Sequence, residues 1–403
     1  MKIGIVTTWF ERGAAHVSRQ FMDILQKTDE VYIYARGGEK YAKGNPVWDL
    51  PNVWWGKRSE AHMKAYGSTY IFKGDFIKWI NKTNVDAILF NEQQWFEPVV
   101  WVKEIGIKAI AYIDYYTENL LPLYDIYDCV ICNTKKHAFA FRQHKNAVYM
   151  KWGTNIDLYK PNEKSKHDKT TFFHSAGMAP IRKGTDIVLR AFYNADNRKN
   201  AKLILHTQVS IARELPQLLD VVHEMEYEGS LEVVEGSIPA PGLYYRGDIY
   251  LYPSRLDGIG LTLMEAIASG LAVITSDNAP MNEFVESSFG DVCPIDYYYC
   301  RQDGYYWPMC VCNIQKLTEL IDSYIDGKKN LNKMKKAARV YAEKELDSSN
   351  NFKMLHRVIE NSQFLKNYEE AKEKIQKYNS LGTRRLSKYL VPLCYLYLKF
   401  VKK

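Results

Sequence analysis

Short apolar runs alternate with amphipathic stretches along most of the chain, and this rhythm is the first guide to its fold. Residues 2–8 form a continuous apolar run of the kind buried on both faces, and 30–35, 87–91, 109–113 and 129–133 repeat it. Between the first two runs, Val17, Phe21, Ile24 and Leu25 recur at helical spacing over 17–26. Strand, helix and strand in this order imply parallel pairing through a right-handed crossover. Residues 53–82 mix Trp54, Trp55, Tyr70 and Trp79 with Lys57, Arg58, Lys73 and Lys78. They read either as a helix pair with an apolar stripe and a solvated basic face, or as a partner- or membrane-facing surface.

Gly153 and Pro161 punctuate the chain before a charged linker at 163–169, after which the rhythm restarts. Strands are expected at 171–175, 202–207, 231–235, 249–254 and 271–276. A helix follows the first of these, with Ile187, Ala191 and Phe192 inward, and others are expected at 261–269, 314–325, 331–346 and 351–368. The tyrosine-rich stretch 291–308 reads as a lid or an insertion. The class is therefore α/β, with two Rossmann-like doubly wound domains, 1–162 and 163–350.

The composition fits that picture: 403 residues, 46% hydrophobic and 25% charged, describe a soluble globular chain with room for two cores. A net charge of +7 suits an anionic partner such as a nucleotide or a phospholipid surface, and equally a solvated lysine-rich surface. Nucleic acid is disfavoured, because the basic residues cluster in the tail and form no stripe with stacking aromatics. No leader-like segment precedes the first strand, and no window of eighteen apolar residues occurs. Seven cysteines then point to reduced thiols in a cytoplasmic protein. Cys129 and Cys132 read as core, and Cys293, Cys300, Cys310 and Cys312 lack the spacing of a zinc site, so no metal is expected. The tail at 376–403 is basic, with Arg384, Arg385, Lys388, Lys399, Lys402 and Lys403 around the run YLVPLCYLYL. That run is too short to span a bilayer but suits an interfacial anchor on an anionic inner leaflet.

Candidate chemistry centres on 248–286. A short strand ends at Pro253-Ser254, and the turn Asp257-Gly258-Ile259-Gly260 opens a helix at Leu261. Unpaired amides at such a helix start, with the positive end of its dipole, make a cradle for an anion. Asp257 and Glu265 flank it, a pair of carboxylates suited to a ligand bearing both phosphate and hydroxyl groups. In the first domain, Gly13 sits where the first loop enters its helix and permits close approach of a phosphate. The three-glycine dinucleotide fingerprint is absent, which disfavours a dehydrogenase. Ligands of open α/β sheets bind at the carboxyl edge of the strands, which gathers Glu92, Asp114 and Asn133 as acceptor-side candidates.

The run Pro253-Ser254-Arg255-Leu256-Asp257-Gly258-Ile259-Gly260-Leu261-Thr262-Leu263-Met264-Glu265-Ala266 resembles the signature of retaining GT-B glycosyltransferases of the family 4 type, which build bacterial surface polysaccharides. Asp257 replaces the first Glu of that pattern; Gly260, Leu261, Glu265 and Ala266 fall in register. Trp152 to Pro161 resembles the family's interdomain segment, and Lys183-Gly184 its diphosphate-binding loop, where Met178 stands in place of an Arg and Arg182 offers a second cation. The loop at 112–116 lacks the family's His, leaving Asp114 as a positional substitute.

The resemblance implies two domains facing a cleft, a helix at 351–375 crossing back onto the first domain, and hexosyl transfer from a nucleotide-sugar donor without a metal or other cofactor. The acceptor would be a glycan or lipid-linked glycan. Arg182, Lys183 and the Gly258, Gly260 and Leu261 backbone would hold the diphosphate, Glu265 the ribose, Asp257 the transferred sugar, with Gly13 closing over the phosphates. Asp257, Glu265 and Lys183 are the implied catalytic set. Met178 and Asp257 also fit a catalytically silent GT-B partner subunit, and a GT-B epimerase or inverting transferase is a further alternative.

Overall fold

The structure, a computed structural model, describes residues 1–38, 40–59, 69–162, 167–366 and 368–381. The chain divides into two compact units. The first holds Met1–Asn133, His137–Met150 and the chain from Phe352; the second holds Thr134–Lys136 and Lys151–Asn351. Most of the basic tail, residues 382–403, lies outside the described residues, as does 60–68.

Unit 1 begins β1 (Lys2–Thr7), α1 (Gly13–Leu25), β2 (Glu30–Ala35), β3 (Val53–Trp55), α2 (Lys73–Thr83) and β4 (Ala87–Asn91). It continues α3 (Glu97–Glu104), β5 (Lys108–Tyr112), β6 (Cys129–Cys132), α4 (Lys135–Ala140) and β7 (Ala147–Tyr149). The seven strands pair in parallel in the order β3-β2-β1-β4-β5-β6-β7. Every residue of β4 and β6 is buried, which is why they read as apolar runs, with Asn91 at the end of β4 the one polar residue. Cys129 and Cys132 are among them, as core. Helix α1 starts at Gly13, ahead of the apolar pattern, because the small residues of its first turn carry no periodic signal. The helix-pair reading of 53–82 needs correction: 53–55 form the edge strand β3, in register with Ile33 to Ala35 of β2, and only α2 is helical among the described residues. A valine and two tryptophans, all half-buried at a sheet edge, are too few to show a strand period.

Unit 2 runs β8 (Thr170–Gly177), α5 (Pro180–Lys183), α6 (Thr185–Tyr193), β9 (Ala201–Thr207), α7 (Ile211–Glu214), α8 (Leu219–Tyr227), β10 (Leu231–Glu235), β11 (Ile249–Tyr252), α9 (Leu261–Ala268) and β12 (Ala272–Ser276). Then follow β13 (Gly290–Cys293), β14 (Ile295–Tyr299), β15 (Met309–Cys312), α10 (Ile314–Ile325), α11 (Leu331–Tyr341) and α12 (Ser348–Asn351). Its six-stranded sheet is parallel, in the order β10-β9-β8-β11-β12-β13, and β14 and β15 make a separate antiparallel hairpin. The tyrosine-rich stretch is thus in part sheet, in part hairpin. In both units the strand order reverses direction beside the first strand, between β1 and β4 and between β8 and β11, and that switch point is where such folds hold ligands. Behind it, Phe172, Leu203, Leu205, Leu251 and Ile274 pack with Val188, Phe192, Leu317 and Ile321 in one apolar core.

The chain ends its described part in unit 1 with α13 (Leu355–Asn361) and α14 (Glu369–Asn379). Phe352 packs edge-on to Phe21 with ring centroids 5.3 Å apart, and His356 Nδ1 lies 2.8 Å from Asp29 Oδ2. The buried Lys103–Asp128 ion pair is capped from the same segment: the Lys103 ammonium lies 3.6 Å from the Phe364 ring centroid, and the Leu365 amide donates to Asp128 at 2.6 Å. A single helix over 351–368 is not formed: α13 covers only Leu355–Asn361, and the chain turns extended at Ser362.

Candidate active site

Two loops at the carboxyl edge of the second sheet, one after β8 and one after β11, are tied together backbone to backbone. The Arg255 amide donates to the Arg182 carbonyl at 2.8 Å. The Arg255 guanidinium forks onto Asp186, with both N–O distances 2.7 Å, at the first turn of α6. Gly184 stands between α5 and α6 at φ 74°, where a Cβ would lie 2.2 Å from the Pro253 carbonyl oxygen, so only glycine lets the loops approach this closely. His174 pins the same corner from below. Its Nδ1 lies 2.8 Å from the Leu251 carbonyl and its Nε2 2.8 Å from the Thr185 hydroxyl. Those partners require the Nδ1–H tautomer, and burial pushes its pKa down to about 4, so the ring is neutral.

At this junction Asp257 is the centre of a closed set of donors. Its Oδ1 accepts from Arg182 at 2.6 Å and from Lys183 at 2.9 Å; its Oδ2 accepts from the Tyr252 hydroxyl at 2.5 Å and the Ser254 hydroxyl at 2.6 Å. Lys183 also donates to the Tyr252 oxygen at 2.6 Å. Burial alone would raise the Asp257 pKa, but the two cations and two hydroxyls overcome it and hold the carboxyl well below the usual carboxylate range. For Lys183, burial wins: its ammonium is pushed down to about 8, with Asp257 pulling upward and Arg182 adding to the depression. Asp257 in turn raises Arg182. Two cations share one carboxylate, so the cluster keeps an excess positive charge.

The other expected residues fall into place around this set or in unit 1. Gly258 follows Asp257 in the loop, and Gly260 at φ 85° turns the chain into α9, whose first residue is Leu261. Glu265, one turn on, accepts from the Tyr244 hydroxyl at 2.6 Å. In unit 1, Gly13 is exposed at the start of α1. Glu92 follows β4 in a left-handed conformation, φ 54°, and accepts the Asp114 amide at 2.7 Å. Burial raises its carboxyl to about 7, against the Asp114 and Tyr115 amides and Arg36. Asp114 itself accepts the Tyr112 hydroxyl, and Asn133 donates to the Met150 carbonyl at 2.7 Å. Met178 is 71% exposed and offers no charge where the resemblance places an Arg. Sequence reasoning missed Tyr252, Ser254 and Tyr244: the tyrosines belong to apolar, core-like stretches, and only Ser254, inside the signature, carried a signal. Among the described residues, no group of three or more His, Cys, Asp or Glu could hold a metal ion.

Residues 159–341, which contain this cluster, match the family model described as Glycosyl transferases group 1. That match falls within the second unit and covers less than half of the chain. The two parallel-sheet architecture is the GT-B fold of the solved glycosyltransferases that the chain resembles. Anabaena HepE, solved with UDP and glucose, is similar to the chain with a TM-score of 0.67 at 15% identity, over 90% of this chain and 100% of that one. Sucrose-phosphate synthase of Thermosynechococcus elongatus gives 0.65 at 16% identity over 90% and 100%. WaaG, a glycosyltransferase involved in lipopolysaccharide biosynthesis, gives 0.64 at 14% over 90% and 100%. No curated protein matches the chain significantly.

Proposed function

We propose that the chain is a retaining glycosyltransferase that moves a sugar, a hexose, from a nucleotide-sugar donor to a glycan or lipid-linked glycan in surface polysaccharide synthesis. The observation that carries this reading is the Lys183–Arg182–Asp257 cluster beside the N-terminus of α9. When a sugar leaves a diphosphate, negative charge builds on the phosphate oxygens. Fixed cations and helix amides aimed at that charge stabilise the transition state more than the ground state. Lys183 and Arg182 supply the cations, and the Gly258, Gly260 and Leu261 amides supply the dipole end. Glu265 receives the ribose hydroxyls, and Asp257 orients both cations and the transferred sugar. The role of Asp257 thereby widens from sugar contact to charge positioning. Glu92, Asp114 and Asn133 are the acceptor-side residues, Gly13 permits close approach to the donor phosphates, and the leaving phosphate assists the acceptor hydroxyl. No metal enters this scheme. The HepE structures with UDP-glucose and with UDP, and the lipopolysaccharide enzymes WaaG and WaaB, support the donor class and the pathway class. The basic tail suits attachment to the inner face of the cell membrane.

The stereochemical part is tested by following the anomeric proton of the product by NMR during early turnover of a nucleotide sugar. Product of the donor's own anomeric configuration is expected. The opposite anomer forming first would refute retention and favour the inverting alternative.

A further inference from the structure

In unit 2 the chain leaves the sheet at Pro294 and returns at Asn313, where the Asn313 amide donates to the Pro294 carbonyl at 2.9 Å. Between them the β14–β15 hairpin carries Tyr297, Tyr298, Tyr299, Tyr305, Tyr306 and Trp307. The hairpin is fastened to the donor loop, since the Cys310 amide donates to the Arg255 carbonyl at 3.0 Å. Tyr305 is close enough for its phenol to act on the charge of Arg182, and Tyr297 and Tyr299 act likewise on Arg255. Strand alternation puts Tyr297 and Tyr299 on one face. Their ring centroids are 6.3 Å apart, with planes tilted by 43°, and they remain 58% and 38% exposed.

Neighbouring exposed aromatics held on a strand mark a binding surface, and two features say for what. The hairpin residues 295–312 carry only Asp296, Arg301 and Asp303, and Arg301 is paired with Asp303, so the hairpin itself brings no net positive charge toward an anionic membrane or a polynucleotide. Its place beside Arg255 and Arg182 sets it next to the donor loop, within reach of a glycan whose far end meets the donor. Pyranose rings present C–H faces to aromatic rings and hydroxyls to phenols, and this pair of tyrosines offers both at a spacing comparable with that of adjacent sugars in a chain.

We propose that the hairpin at 295–312 is a carbohydrate-stacking platform, with Tyr297 and Tyr299 holding the acceptor glycan beside the donor loop. This rests on the glycosyltransferase reading and deepens it. The test compares the full chain with Tyr297→Ala/Tyr299→Ala and Tyr297→Phe/Tyr299→Phe. Both sites are exposed, and thermal melting checks that each variant is folded. Saturation-transfer NMR and titration with maltohexaose, cellohexaose and chitohexaose read glycan binding, and UDP titration reads the donor site. Wild type is expected to bind at least one oligosaccharide. The alanine pair should weaken it on the order of tenfold, with the phenylalanine pair in between because it keeps the rings and loses only the phenol hydroxyls, and UDP affinity the same in all three. Oligosaccharide binding that is absent in wild type, or unchanged in the alanine pair, overturns the platform while leaving UDP binding to speak for the enzyme. A sedimentation shift in the alanine pair without loss of glycan binding would make the face a contact between copies and also overturn it. A wild type that binds oligosaccharide but no UDP, GDP or ADP overturns the transferase reading and this one with it.

Discussion

Raising the pH through 8 should weaken nucleotide binding, and the reason lies in one buried ammonium. Burial holds the Lys183 pKa at about 8 in the ligand-free protein. A diphosphate charge arriving at about 4 Å contributes about 4 kcal/mol at an effective dielectric constant of about 20. At about 1.36 kcal/mol per pKa unit, that lifts Lys183 by about three units in the complex. Free protein is then half protonated at this position near pH 8 and the complex fully so, which means binding takes up about half a proton there, about 0.1 at pH 7 and about 0.9 at pH 9. Affinity should fall about tenfold for each pH unit above 8. The same group acts on folding with the opposite sign. Its folded pKa lies below its unfolded value, so the unfolded chain holds more protons between about 8 and about 10.4, and this residue makes stability rise with pH across that window. Calorimetric titration with UDP in pairs of buffers of different ionisation heat, at pH 7, 8 and 9, reads the proton uptake directly, and Lys183→Met should abolish it. Uptake near zero at all three values, with affinity flat, would refute the assignment of Lys183 to the diphosphate.

Three further changes probe the same cluster. Asp257→Asn leaves Lys183 and Arg182 buried together without their carboxylate and should cost about 3–5 kcal/mol of unit 2 stability, read as a lowered urea midpoint. Glu265→Gln keeps an acceptor for Tyr244, so stability should change by less than about 1 kcal/mol while UDP affinity falls about tenfold through loss of a charged hydrogen-bond acceptor. Gly184→Ala sets a Cβ 2.2 Å from the Pro253 oxygen at a φ of 74°, and should cost about 1–3 kcal/mol and slow turnover by separating the two loops. An alanine variant as stable and active as wild type would show that the loops do not need this approach.

How much of this was legible in the sequence depended on burial. Strand β4 was readable because a strand buried on both faces reads as an apolar run, and β2 and β10 were readable from their apolar residues alongside polar ones, whereas β3 is a three-residue edge whose tryptophans give no period. The partners at the site were readable as types but not as a network. Lys183 and Asp257 are 74 residues apart, and only the β8–β11 adjacency brings them within 2.9 Å. The Tyr252 hydroxyl was hidden because the strand IYLY looks wholly apolar, yet the phenol sits over the end of the sheet against Asp257. The tyrosine-rich stretch 291–308, legible only as a lid or insertion, resolves once pairing sets Tyr297 opposite Val311, since hairpin register depends on the partner strand as well as on local pattern.

The most direct test of the account is to offer UDP-, GDP-, ADP- and dTDP-sugars to wild type, Lys183→Ala and Glu265→Ala, and to measure saturation and slow hydrolysis. The account predicts that one donor class saturates and turns over in wild type and does neither in the two variants. Saturation without turnover, even with lipid-linked acceptors supplied, would point to a silent partner subunit, and no binding to any donor would contradict the glycosyltransferase reading.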